Sequence, residues 1–305
     1  MNPRLRRRAV LAATLAAPGI PWAETARPLV VASFSILGDM VRQIGGDGVA
    51  LRVLAGPETD AHAFQPRPSD AEALRGAAVM VRNGLGFEPW LDRLLRSAGH
   101  RGILVTASEG VAAISTATSS HGHGADAPDP HAWQDVGRAR IYATRIGEGL
   151  AKGDPSRAAA WREAAEAYGA RLAALDHHVR QRIGEVAPER RVAVTSHDSF
   201  AYFGAAYGVR FLAPQGINAG GQPSAVQVAA LIRHIRAERI SAVFPDRPGS
   251  QALMDRLARD AGLRAPRGRL YADTLSAPDG PAPDYEAMQR HNLNLLVAAM
   301  RDEAA

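Results

Sequence analysis

Cysteine and long apolar segments are both missing from this chain of 305 residues. Without cysteine the protein forms no disulfide, and it has no thiol that could carry an N-terminal lipid. After residue 23, no uninterrupted apolar run reaches the roughly 20 residues that cross a bilayer as a helix. We therefore expect a freely soluble protein rather than a lipoprotein or a membrane protein.

The first 23 residues have the pattern of a secretory signal peptide. Basic residues at Arg4 and at 6–8 precede an apolar run over 9–17, which is too short to span a bilayer. The arginine pair at 7–8, with apolar residues after it, is also typical of twin-arginine signals. The sequence thus predicts export to the periplasm and leaves the Sec and the twin-arginine routes open.

Strong net charge is also lacking once the signal is set aside. The whole chain has 36 basic and 31 acidic side chains. Four of the arginines and none of the acids lie in residues 1–23, so 32 basic side chains face 31 acidic ones in the remainder. Because no dense basic patch alternates with aromatic residues, nucleic-acid binding has little support.

Strand-like and helix-like segments alternate along the chain, which is typical of α/β proteins with mostly parallel sheets flanked by helices. The long pattern over 154–186 interrupts this alternation and predicts a single helix of about 45 Å. We expect two lobes, 24–153 and 187–305, joined by this long rigid helix. The predicted strands are 27–35, 49–55, 78–84, 101–108, 190–196, 209–214, 240–246 and 266–273.

Four residues with metal-binding side chains lie at or near predicted strand ends or in loops close by: His62, His131, His197 and Asp273. Ligands of open α/β sheets collect outside the carboxyl ends of the strands. Three imidazoles and one carboxylate suit a tetrahedral zinc site, and nitrogen donors favour zinc, copper or nickel over manganese. A histidine in a loop is more often an ordinary surface residue. The spacing alone therefore supports a metal site and four unrelated polar residues about equally.

Five segments, in order, resemble motifs of the zinc/manganese substrate-binding proteins of ABC importers. They are "TDAHAFQPRPSD" (59–70), "NGLGFEPWL" (83–91), "DPHAWQD" (129–135), "SHDSFAYFGAAYG" (196–208) and "YADTLSAPDGPAPDYEAMQRHN" (271–292). The resemblance extends over about residues 28–300. It implies two α/β lobes joined by a long helix, as the pattern predicts independently. Two positions depart from the family pattern: Ala61 replaces a usual proline, and Asp246 replaces a usual glutamate.

The same resemblance implies that His62, His131, His197 and Asp273 are the metal ligands. Manganese members tend to have a carboxylate at the position of His197, so the histidine favours zinc. The implied function is a non-enzymatic periplasmic receptor that binds Zn²⁺ with high affinity as transported ligand and delivers it to a membrane ABC permease. We expect a monomer, and a periplasmic zinc donor protein remains an open possibility.

Three alternatives stay open. The first is a manganese receptor of the same family. The second is an exported zinc hydrolase, although the sequence has neither an H-E-x-x-H segment nor a G-x-S-x-G segment. The third is an interaction or adhesion protein with a structural zinc.

Two further histidines, His121 and His123, lie in the stretch "SSHGHGADAP". They resemble the histidine-rich loop that zinc members carry before the second ligand, which implies an auxiliary role in metal capture. A plain polar linker is an equally supported interpretation, since the loop is short and has no apolar residue to anchor it.

Overall fold

The computed structural model describes residues 27–115, 127–216, 223–263 and 268–301. In the N-terminal half, four parallel strands form one sheet in the order β2-β1-β3-β4. The strands are β1 (Leu29–Phe34), β2 (Ala50–Ala55), β3 (Val79–Arg82) and β4 (Ile103–Thr106), and the helices between them are α1 (Ser35–Gly45), α2 (Pro68–Gly76) and α3 (Leu91–Ala98). The predicted signal segment 1–23 lies outside the described residues.

Two long helices, α4 (Val136–Gly153) and α5 (Ala158–Gly184), connect the halves and pack along each other. A Cβ at Gly147 of α4 would lie 2.4 Å from the Cβ of Ala165 on α5, so the close approach of the helices requires glycine there. With 27 residues, α5 is about 40 Å long. The predicted long helix is therefore present, but it begins at Ala158, after a short 3₁₀ turn at Pro155–Arg157.

The C-terminal half contains a smaller parallel sheet with the strand order β6-β5-β7. Its strands are β5 (Val192–Val194), β6 (Arg210–Leu212) and β7 (Ala242–Val243), and its helices are α6 (Ala201–Tyr207), α7 (Ala225–Glu238), α8 (Gln251–Ala261) and α9 (Tyr285–Arg301). The fold class predicted from the sequence, α/β with parallel sheets flanked by helices and a long helix between them, is confirmed. The lobe boundaries at 153/154 and 186/187 stay predictions.

The strand predicted over 266–273 is wrong for the residues of it that the structure describes, 268–273. They form an extended run with one backbone hydrogen bond to the segment that follows β7, from Leu270 N to Pro245 O (2.9 Å). The side chain of Asn292 on α9 accepts from Tyr271 N (2.9 Å) and donates to Tyr271 O (2.8 Å). An amide side chain thus takes the place of a neighbouring strand, because it offers the same donor and acceptor pair.

One apolar core continues from the first half into the second. It includes Phe34 and Phe87 from the N-terminal half, Trp133 before α4, and Leu275 and Tyr285 from the C-terminal half, all almost fully buried. Within the described residues, no helix is both long and apolar enough to cross a membrane.

Candidate metal centre

The structure brings together the four side chains that the sequence singles out. His62 lies between β2 and α2, His131 lies just before α4, His197 follows β5, and Asp273 lies in the extended run before α9. Each offers a donor atom, and all four donor atoms lie within 4.8 Å of one another. The cluster therefore contains residues of both halves.

Three of the separations between the donor atoms lie close to those expected around a four-coordinate ion, a fourth is shorter, and the whole set lies within 4.8 Å. His62 Nε2 lies 3.4 Å from His131 Nε2 and 3.6 Å from Asp273 Oδ2. Asp273 Oδ1 lies 3.4 Å from His131 Nε2, and Asp273 Oδ2 lies 3.0 Å from His197 Nε2. Ligands at about 2.0–2.2 Å from a tetrahedral ion are about 3.3–3.6 Å apart. The donors are therefore arranged around a common point.

Three of the four side chains are buried. His131 and His197 are fully buried, and Asp273 is 4% exposed. Among the described residues, neither carboxylate oxygen of Asp273 has a well-aligned hydrogen bond, although three imidazole nitrogens surround them. Burying an ionised carboxylate without aligned donors is costly. A cation at the centre would remove that cost.

The pKa values of three of these side chains are shifted in different directions. Burial lowers the pKa of His62 to about 4, so this imidazole is neutral and able to bind a metal at neutral pH. Burial also opposes charge on His197, but the carboxylates of Asp246 and Asp273 outweigh it and raise the pKa of His197 to about 10. Burial would raise the pKa of Asp273, but His197, His131 and His62 hold it below its usual range. Without a metal, a proton on His197 thus supplies part of the positive charge that a metal ion would supply beside the carboxylates of Asp246 and Asp273.

Two further carboxylates lie behind the imidazoles. That of Asp129 hydrogen-bonds His131, and that of Asp246 lies at ion-pair distance from His197 without the alignment of a hydrogen bond. Asp129 Oδ1 lies 2.8 Å from His131 Nδ1, and Asp246 Oδ2 lies 2.9 Å from His197 Nδ1. A carboxylate at Nδ1 favours the tautomer whose Nε2 lone pair is free for a metal. Asp246 is itself fixed, because it accepts from Ser196 N (3.0 Å). Asp246, which replaces the usual glutamate of the family pattern, lies against His197 in the structure.

The backbone before two of the histidines is held by a short local turn. Asp60 Oδ1 accepts from His62 N (2.9 Å), and Asp129 Oδ1 accepts from His131 N (2.8 Å). An aspartate that bonds the backbone two residues later forms an Asx turn. The shared D-x-H spacing is the sequence signal that could have identified Asp60 and Asp129, which the sequence analysis missed.

The segment "NGLGFEPWL" supports the loops that carry His62 and His131. The carboxylate of Glu88 folds this segment by accepting from Ser33 Oγ (2.7 Å) and Asn83 N (2.6 Å). Asn83 then donates through Nδ2 to Pro130 O (3.0 Å), next to His131. Trp90 Nε1 donates to Ala61 O (2.8 Å), next to His62.

An aromatic wall completes the support of the site. The Phe87 ring packs edge-on against His62, with 4.4 Å between ring centroids. The Trp133 ring packs in the same way against His131 at 5.3 Å. These contacts limit the rotation of the imidazoles and keep water away from one side of the site.

The predicted auxiliary residues, His121 and His123, lie outside the described residues. The chain on either side of 116–126 is described: Ser115 pairs with Pro128 in an antiparallel bridge, and Asp129 N donates to Ile114 O (2.8 Å). The two ends of that segment are therefore close together, directly before His131.

Residues 30–299 match the family described as zinc-uptake complex component A, periplasmic (ZnuA). The chain belongs to this family. The family resemblance read from the sequence, to metal-binding substrate-binding proteins of ABC importers, is thereby confirmed.

Individual relatives differ in the metal that they are named for. The chain is 29% identical over 271 residues to the manganese-binding lipoprotein MntA of Halalkalibacterium halodurans, covering 89% of this chain and 88% of the relative. It is 30% identical over 256 residues to the iron-binding protein YfeA of Yersinia pestis, covering 84% and 81%. The periplasmic zinc-binding protein TroA of Treponema pallidum has a similar structure, with a TM-score of 0.81 and 28% identity over 90% of this chain and 99% of that one. None of the three is named as an enzyme.

Similarity to ZnuA-family relatives therefore identifies a metal-binding receptor but does not select the metal. The relatives named for manganese, iron and zinc are about equally similar to this chain. The choice has to be argued from the donor atoms of this chain itself.

Proposed function

We propose that this protein is a periplasmic receptor that binds Zn²⁺ through His62, His131, His197 and Asp273 and delivers it to the permease of an ABC importer. The observation that carries this proposal is the convergence of three imidazoles and one carboxylate, whose donor atoms all lie within 4.8 Å of one another. The separations among His62, His131 and Asp273 are 3.4–3.6 Å. These separations agree with a tetrahedral ion of the size of zinc. Zinc is here the cargo of the protein.

Donor chemistry favours zinc over manganese. Three of the four donor residues are imidazoles, and two of these have a carboxylate at Nδ1. Imidazole binds zinc more strongly than manganese, which prefers oxygen donors and a larger coordination number. The carboxylates behind His131 and His197 add to the basicity of the imidazoles and increase this preference.

A manganese receptor is the second candidate, and one feature favours it. Asp273 presents both oxygens to the imidazoles, Oδ1 to His131 and Oδ2 to His62 and His197. A carboxylate that binds through both oxygens would raise the number of donors from four to five. Manganese would gain more from the fifth donor than zinc.

A hydrolytic function is less compatible with the geometry. Four protein donors around a tetrahedral ion leave no open position for an activated water, whereas catalytic zinc sites have three protein ligands and a water. Two of the donor residues, His131 and His197, are also fully buried.

A competition titration tests the proposal. Protein stripped of metal is titrated with Zn²⁺ against a chelator of known affinity, and then with Mn²⁺ against the zinc-loaded protein. We expect tight binding of one Zn²⁺ and a preference over Mn²⁺ of several orders of magnitude. Tighter binding of Mn²⁺ would establish the manganese alternative.

We further propose that the protein acts as an exported monomer, after removal of residues 1–23. The lack of an apolar run of membrane-spanning length after residue 23 supports a soluble protein in the periplasm. The chain has no cysteine that could carry an N-terminal lipid, whereas one relative is named a lipoprotein. A zinc donor protein would load the same site, with His121 and His123 as auxiliary capture residues.

A further inference from the structure

One of the four candidate ligands is held differently from the other three. His62 belongs to the segment 56–67, which connects β2 to α2 and is called the His62 segment below. Its side chain is the most accessible of the four, with 7% of its surface exposed. His131, His197 and Asp273 lie deeper in the protein.

The residues around His131 are fastened to the C-terminal half. Tyr202 on α6 donates its hydroxyl to Asp129 O (2.8 Å), and Tyr285 on α9 donates to Trp133 O (2.5 Å). Ala272 O, next to Asp273, accepts from the indole of Trp133 (2.9 Å). We therefore expect His131 to move together with His197 and Asp273 as part of the C-terminal half, although His131 precedes the long helix in the sequence.

Helix α1 is also fixed to the C-terminal half, through buried groups. The Asp39 carboxylate accepts from Tyr285 N (2.9 Å), and Ser35 Oγ accepts from Leu275 N (3.0 Å). Separating the halves as whole bodies would leave these buried donors without partners, at a large cost. Moving only the His62 segment leaves these two bonds intact and puts at risk a single partly buried side-chain bond, from Trp90 Nε1 to Ala61 O (2.8 Å).

Two partly exposed ion pairs connect the His62 segment to the C-terminal half. Arg247, directly after the buried Asp246, pairs with Asp60. Arg269, in the extended run before Asp273, pairs with Glu58 at 2.8 Å. One backbone bond, from Glu58 N to Leu275 O (3.1 Å), lies beside the second pair. The four charged side chains are 17–40% exposed.

The backbone of the His62 segment is strained at the point of contact. Glu58 has a φ of 59°, in the left-handed region that side chains other than glycine rarely adopt. Such a conformation persists when surrounding contacts enforce it. Here those contacts are the ion pair with Arg269 and the bond to Leu275 O. Loss of these contacts would allow the backbone at Glu58 to relax and the His62 segment to move away from the C-terminal half.

We propose that Arg247 and Arg269 form a latch that keeps the His62 segment closed over the metal and sets the rate of metal release. Breaking the two ion pairs frees the segment, and His62 leaves the ion first. His131, His197 and Asp273 remain in place as a preformed three-donor site. The two arginines are positioning residues, since they act through Asp60 and Glu58 and do not contact the ion.

The inference rests on the proposed metal site, and its test measures release rather than binding. Full-length processed protein carrying Arg247→Gln, Arg269→Gln or both substitutions is loaded with Zn²⁺ and mixed rapidly with excess chelator. Arg162→Gln is the control, because Arg162 forms an ion pair with Glu148 between α4 and α5, away from the site, although this pair is more exposed than the two latch pairs. Thermal unfolding of each metal-free variant verifies that it is folded.

Exposed ion pairs contribute little individually, so we expect each single substitution to speed release about fivefold and the double substitution about twentyfold. Arg162→Gln should release zinc at the rate of the unsubstituted protein. Asp60→Asn keeps the oxygen that accepts from His62 N, so it should speed release by itself and add nothing to Arg247→Gln. An unchanged release rate in the folded double variant would overturn the latch, as would equal acceleration by Arg162→Gln. Failure of the unsubstituted protein to load Zn²⁺ would instead refute the proposed function.

Discussion

Asp129 provides the sharpest test of how the site is built. One oxygen of its carboxylate, Oδ1, accepts from the backbone N–H of His131 and lies 2.8 Å from His131 Nδ1. The residue is 1% exposed, so water does not substitute readily for either contact. Asp129→Ala therefore removes at once the group that orients the imidazole and the group that selects its tautomer.

The size of the effect follows from these two losses. Removing a carboxylate behind a metal-binding histidine weakens metal affinity by about 10–100-fold. The buried N–H of His131 also loses its partner, which lowers the free energy of unfolding of the metal-free protein by about 1–3 kcal/mol. Asp129→Asn should cost much less affinity, under about tenfold, because an amide oxygen in the position of Oδ1 can accept both hydrogen bonds.

Chelator competition with Zn²⁺ measures the affinity of both variants, and denaturant unfolding of the metal-free protein measures their stability. Asp47→Ala is a suitable control, since Asp47 is an exposed aspartate in the turn after α1. The reasoning would be refuted if folded Asp129→Ala bound zinc as tightly as the unsubstituted protein. Equal losses for Asp129→Asn and Asp129→Ala would show that charge, and not orientation of His131, is what Asp129 contributes.

Further predictions concern the ligands, the pH response and the segment before His131. His62→Ala and His197→Ala should each weaken zinc by more than the about 10–100-fold expected for a supporting carboxylate, whereas His100→Ala should have no effect in the same titration. Because the pKa of metal-free His197 is raised to about 10, zinc must displace its proton at neutral pH. Zinc affinity should therefore fall about tenfold for each unit of pH lowered between about pH 8 and pH 6, and a flat response would contradict histidine binding. His62, with a pKa of about 4, should add no proton release in that range, as calorimetry in buffers of different ionisation enthalpy can measure. Deleting 119–124, which contains His121, should slow loading from dilute zinc and leave the final affinity unchanged, and a loss of tight binding would make this segment part of the primary site.

Much of the fold could be predicted because its signals are local. Alternating apolar strands and amphipathic helices predict the two parallel sheets, since apolar spacing reflects which face of each element is buried. The strand predicted over 266–273, which is wrong for its described part 268–273, shows the limit of this reasoning. The backbone of such a segment pairs with whatever donors and acceptors lie beside it, and here the neighbour of Tyr271 is the side chain of Asn292 on α9.

The sequence by itself determined which residue types are available as donors and the short turns that present them, such as D-x-H before His62 and His131, because these depend on neighbours only two residues apart. Only the tertiary structure decided that Asp246 supports His197 from 49 positions away and that Arg247 reaches Asp60 across the two halves. Contacts of this kind depend on how the helices and sheets pack, and packing is set by the shape of the whole core rather than by any local pattern of residues.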